Sequence, residues 1–202
     1  HLIPWLGQTM WDYLVAQVEA DTLVAPHTTL LPLVQRALAR LTLFEYSKEG
    51  SVQFNEMGLM RQESDSEGVV KGAYKYQETQ YREHQRDKGY EALEKMLIHL
   101  EANSGDYPQW TSDTASTRNR EYYINTAITF RTIFSFNISR YVFEVFRPVM
   151  REIETFTIIP CVGDDFHNEL KAAILAKNET ADQTTAIEHI QRAIVYFTIL
   201  ES

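Results

Sequence analysis

The chain has 202 residues, 44% of them hydrophobic and 23% charged, with a formal net charge of −9. It is long enough to bury a core as one domain or two small ones, and its acidic balance argues against a protein whose main task is to grip nucleic-acid phosphates. No apolar run reaches the roughly 18 residues that cross a bilayer, no basic-then-apolar secretory leader is seen, and the one cysteine, Cys161, makes neither an internal disulfide nor a cysteine zinc site, a pattern that fits a reducing, intracellular setting.

The chain opens "HLIPWLGQTMWDYL". Pro4 fixes φ and should end a preceding helix, while Gly7 permits a tight turn into the next one. A helix is predicted over about 9–20, then a polar loop ending in Thr28-Thr29, then a longer helix over about 29–46. Leu31, Val34, Leu38 and Leu41 recur there at three- and four-residue spacing. "SVQFNEMGLMRQESDSEG" reads as a short hairpin or ordered loop, and 69–102 as a long polar helix interrupted at Gly89. "NSGDYPQWTSDTAS" reads as a loop, and "RNREYYINTAITFRTIFSF" as one amphipathic helix. "SRYVFEVFRPVMREIETFT" is predicted to be a helix begun by Ser139, perturbed near Pro148 and ended before the next Ile-Pro.

That next Ile-Pro begins a second copy of the opening. With a shift of 156 positions, Ile3-Pro4 falls on Ile159-Pro160 and Gly7 on Gly163. Leu14, Ala16 and Ala20 fall on Leu170, Ala172 and Ala176; Gln35-Arg36-Ala37 falls on Gln191-Arg192-Ala193. Ancestral duplication is the best account of this repeat. The second copy predicts helices over about 165–176 and 185–200, with Asp164 and Asp165 placed to cap the first. Because a helix precedes the second copy, the duplication implies roughly 30 further residues upstream of the first. The predicted fold is therefore mainly α. It is a helical bundle of two duplicated helix–turn–helix units, 1–50 and 120–202, joined by a short hairpin or loop and a long helix over 51–119.

Little in the chain points to chemistry. No glycine-rich phosphate loop, nucleophile elbow or metal-binding helix motif occurs. Asp164-x-x-His167 is half of a di-iron motif, found once, at a helix start where Asp serves capping. His84, His99 and His189 lie at unrelated phases. No catalytic, cofactor-binding or metal residue is assigned, and Pro4, Gly7, Pro160 and Gly163 are read as structural turns. Arg118, Arg120, Arg131, Arg140, Arg147 and Arg151 concentrate positive charge and are read as solvated helix faces. Tyr74, Tyr76 and Tyr81 are hard to place in a core; with Val52, Phe54 and Met57 of the hairpin they are the candidate protein interface.

"IPWLG", "LVQRALARLTLFEY", "GYEALEKMLIHLE", "YPQWTSD", "INTAITF" and "IQRAIVYFTI" together resemble an uncharacterised family of Bacteroides-type bacteria, their prophages and phages. The repeated unit is also loosely similar to the head–tail connector (adaptor) proteins of tailed phages, which usually carry one such unit. These resemblances imply a non-catalytic structural protein that assembles as a ring beneath a portal. Its partners would be further copies and a portal or tail protein, without sequence-specific nucleic-acid binding, membrane or cofactor, and its place the bacterial cytoplasm or the virion. The competing expectations are a host-encoded helical scaffold that holds one partner, and an enzyme using His167 or His189 in a concave pocket.

Overall fold

A computed structural model of the chain describes residues 2–49, 52–55, 58–61, 75–120, 122–135 and 138–201. The architecture is a mainly α helical bundle. It begins with α1 (Ile3–Leu6), α2 (Gln8–Glu19) and α3 (His27–Glu49), followed by strands β1 (Val52–Asn55) and β2 (Gly58–Arg61). These strands pair antiparallel with Phe54 opposite Leu59. Next come α4 (Lys75–Ala102), a 3-10 turn (Ser104–Asp106), α5 (Pro108–Thr111), α6 (Thr114–Arg120) and α7 (Ala127–Ile133). The chain then forms α8 (Arg140–Ile153), a π turn (Glu154–Ile158), α9 (Ile159–Val162), α10 (Asp164–Ala176) and α11 (Ala181–Glu201).

Two apolar cores result. In the first, Leu6, Met10 and Leu14 meet Leu30, Val34 and Ala37 of α3, Leu93, Met96 and Leu97 of α4, and Trp110. In the second, Phe130, Phe143 and Met150 meet Leu170, Ile187 and Ile194. Each fully buried aliphatic side chain contributes about 1.5–3 kcal/mol of transfer free energy. Gly89, which the sequence presents as an interruption, is instead where α3 crosses α4: a Cβ there would lie 2.7 Å from Leu41 Cδ2. The absent side chain permits the close approach.

The repeated pattern has a repeated backbone. Gly7 adopts φ 82°, ψ 151° and Gly163 φ 85°, ψ 148°. Each amide donates to the isoleucine carbonyl four residues back at 2.8 Å. Past the second helix the recurrence continues, with left-handed Asp21 (φ 52°) and Lys177 (φ 53°). Thr22 N donates to Gln17 O and Asn178 N to Ala173 O at those same shifted positions.

Four local expectations are corrected. The helix does not end before Pro160; α8 runs through Pro148 into the π turn and on through α9, with Ile158 and Ile159 both in the right-handed helical region. A π turn absorbs the irregularity of a missing proline N–H within a continuous helix. The stretch 118–136 is not one helix. Tyr123 O accepts from Gln191 Nε2 at 2.7 Å, Ala127 N donates to Glu94 at 3.0 Å, and extended Thr126 caps α7 through Thr129 N. Tertiary partners have taken backbone groups that a helix would use. The segment after Asn103 is a run of short helical turns rather than a loop. Finally, the N-cap of α10 is Gly163 rather than an aspartate; Asp164 and Asp165 sit in its first turn, where the helix dipole favours them.

Candidate functional site

The two Ile-Pro turns sit in different surroundings. At the first, Asp113 Oδ2 accepts from Thr9 N at 3.3 Å, and Trp110 Nε1 donates to Trp5 O at 3.1 Å. A Cβ on Gly7 would lie 2.4 Å from Asp113 Cγ, so glycine is required by the neighbour as well as by φ. At the second, a Cβ on Gly163 meets nothing within 4 Å. Pro4 and Pro160 are both exposed, on α1 and α9.

The candidate interface residues are distributed as follows. Tyr76 and Tyr81 are exposed on α4, at 60% and 49%. Val52 and Phe54 lie in β1. Tyr74 and Met57 lie outside the described residues.

Three of the arginines read as solvated faces, Arg120, Arg140 and Arg147, are a correction; Arg120 is half-buried on Glu101. Arg140 is buried, with Nη1 on Glu94 Oε2 at 2.7 Å and Nε on Glu144 Oε1 at 2.7 Å. Arg147 joins the same carboxylate of Glu144 at 3.2 Å and lies over the Tyr122 ring. This network joins α4 to α8 and bridges the two cores. Its spacing on α8, residues 140, 144 and 147, is that of a helix face, but nothing local signals that Glu94 would meet it. Arg131 and Arg151 are exposed, as expected; the side chain of Arg118 is outside what is described.

The most concentrated chemistry surrounds His167. It is half-buried on α10 and lines a cavity of about 290 Å³ with Arg120, Tyr122, Arg151, Glu154 and Lys171. Its Nδ1 lies 3.1 Å from the Tyr123 hydroxyl. Lys171 Nζ lies 2.6 Å from Glu154 Oε1 and 3.8 Å from the Tyr123 ring centroid. Burial, and then the Lys171 charge, lower the affinity of His167 for a proton. Burial, and then the Glu154 charge, raise the Tyr123 phenol. The four-residue spacing of His167 and Lys171 on one helix was the available sequence signal; Tyr123, Glu154 and Arg120 come from elsewhere. His189, by contrast, is exposed on α11, and His84 on α4. His99 contacts the Tyr107 hydroxyl at 2.8 Å. Among the described residues, no group of three or more His, Cys, Asp or Glu could hold a metal ion. No described helix is long and apolar enough to cross a membrane.

The fold and these sites define a mainly α protein of two cores, with no assigned reaction centre. A family model described as "Family of unknown function (DUF6712)" matches residues 2–120 and 158–202. The chain belongs to that family. Its matched blocks contain both Ile-Pro turns and both helices that follow each. No curated protein and no solved structure matches the chain.

Proposed function

We propose that this protein is a non-catalytic structural component of a phage or prophage virion, of head–tail connector type, which works by assembling with further copies and with a portal or tail component. The observation that supports this most is apolar surface left uncovered at the C-terminal end of α11. In the repeated pattern α11 takes the place of α3. Leu41 of α3 is 5% exposed where α4 crosses it. Its equivalent, Phe197, is 40% exposed, and Leu200, the equivalent of half-buried Phe44, is 80% exposed. α8 and α7 pack on the side of α11 that buries Val195 and Thr198, while Phe197 and Leu200 lie on its exposed side. A neighbouring copy packed on Phe197 and Leu200 covers them. Tyr76 and Tyr81 offer a second, different surface, and pairing two different surfaces between copies closes a ring when the rotation allows.

Native mass spectrometry of the full-length protein, with negative-stain images, tests this reading. A closed homo-oligomer of many copies is expected. A monomer at every concentration that forms a defined one-to-one complex would favour a host-encoded helical scaffold instead. A different reading, an enzyme using His167, is favoured by one observation, the half-buried imidazole in its cavity beside Lys171 and Glu154. Its test is whether His167→Gln changes a small-molecule response while leaving assembly intact.

A further inference from the structure

We propose that the cavity enclosed by α6, the junction of α8 with its π turn, and α10 is an oxyanion site that takes a small phosphate-class ligand, inorganic phosphate or a phosphomonoester. This goes beyond the assembly reading and stands or falls separately from it.

Three cationic side chains from three elements line the cavity: Arg120 at the end of α6, Arg151 near the end of α8, and Lys171 on α10. Glu154 lines the recess with them, and Glu101 pairs with Arg120 beside it. Among these described side chains three cations meet two carboxylates, an excess of positive charge in a chain of net charge −9. Its volume of about 290 Å³ lies at the lower edge of small-molecule sites, which bounds the ligand to a small one.

The cations are held in place. Arg120 Nε donates to Glu101 Oε2 at 2.9 Å, and the guanidinium stacks 5.4 Å from the Trp110 ring. Its Nη2 is buried with no hydrogen-bond partner among the described residues. A guanidinium carries five N–H donors in a fixed fork, and a buried one left without an acceptor costs free energy until something supplies one. An oxyanion in the recess supplies it after a small local shift. Lys171 is fixed between Glu154 and the Tyr123 face, so it presents a positioned charge rather than a mobile one.

His167 completes the recess as a reporter. Its Nδ1 is hydrogen-bonded to the Tyr123 hydroxyl at 3.1 Å, which fixes the ring in the recess. The charged and titratable groups facing this ring are Lys171 and Asp164 on α10, Glu154 on the π turn, Tyr123, Arg120 and Arg151. An added oxyanion favours imidazolium, so bound phosphate raises the proton affinity of His167. By reciprocity, protonation of His167 strengthens the binding of a given oxyanion charge state.

The test is histidine NMR on the full chain, titrated with inorganic phosphate at pH 7 and constant ionic strength. The His167 ring resonances should move saturably in the millimolar range or tighter, while those of exposed His84 stay still. Lys171→Gln and Arg151→Gln should each weaken the response about tenfold, the loss of one charge-assisted contact. Arg151 is exposed, so its variant keeps the fold even if the Lys171 variant does not. Absence of saturation, equal movement of His84, an equal response to chloride or acetate, or an undiminished response in Arg151→Gln would each overturn the proposal.

Discussion

Asp113 accepts the backbone amide of Thr9 at 3.3 Å across 104 positions of sequence. The helix that Gly7 opens is thus capped from another part of the chain, at a place where its second copy at Gly163 has open space. The carboxylate also accepts from Ala115 N at 3.0 Å, so one side chain ties the start of α2 to the start of α6. The Ala115 amide, first among its partners, holds the Asp113 carboxyl below its usual value of 3.8.

Asp113→Ala should cost about 1 kcal/mol, the usual loss for a capping side chain. A carboxyl with a depressed folded value stabilises above its ordinary value and loses that contribution as pH falls through it. Urea unfolding should therefore show a clear difference between wild type and variant at pH 7 that shrinks below pH 3.8.

Gly7→Ala and Gly163→Ala should differ. Both place a side chain at φ near +80°, a strain of about 1–3 kcal/mol. At Gly7 the new Cβ also displaces Asp113, so this variant should be the less stable by roughly the value of the cap. Thermal unfolding of both, and of Gly7→Ala with Asp113→Ala, checks it. Simple additivity in the double variant would contradict the contact.

Removing Arg140 leaves buried Glu94 without its cationic partner and leaves Glu144 with Arg147. Arg140→Met should destabilise by about 3–5 kcal/mol, far more than Arg36→Met at an exposed site on α3. Because Glu94 also accepts from Ala127 N, the loss should be accompanied by faster hydrogen exchange at the start of α7.

Stability should fall on mild acidification. His27 and His167 both have lowered proton affinity, each through burial first. Below the ordinary value of 6.5 the unfolded chain takes up protons that the folded chain refuses, so stability is full above pH 6.5 and declines below it. His27 packs against the Tyr13 and Tyr107 rings, and His27→Asn should flatten this decline while lowering stability at pH 7. Denaturant midpoints from pH 5 to 8 read both effects.

Phe197→Glu with Leu200→Glu should abolish the homo-oligomer expected of an assembly protein. At 40% and 80% exposure neither side chain holds the core, so the thermal midpoint should move little. Light scattering of the eluting species checks the first outcome and calorimetry the second.

Much of the fold was legible because its signals are local. Leu31, Val34, Leu38 and Leu41 at helical spacing, Pro4 and Gly7 marking a turn, and the same letters again at Pro160 and Gly163 depend only on backbone sterics and amphipathic periodicity. Helices Gln8–Glu19, His27–Glu49, Asp164–Ala176 and Ala181–Glu201 follow the predicted spans closely. Where the reading failed, distant groups had intervened. Gln191 holds the Tyr123 carbonyl outside any helix, Glu94 takes the Ala127 amide where α7 starts, and Leu41 turns Gly89 from an interruption into a crossing point.

The sequence by itself determined most of the helices, where they turn, and that one pattern of letters recurs. Only the tertiary structure decided what the charged and aromatic side chains meet. Arg140 finds Glu94, Arg120 finds Glu101 and Trp110, and His167 finds Tyr123, each across more than a helical turn of intervening chain. Periodicity assigns a side chain to a face, but its partner depends on which other helix folds over that face. Two copies with one local pattern have therefore arrived at different neighbours, a covered turn at Gly7 and an open one at Gly163.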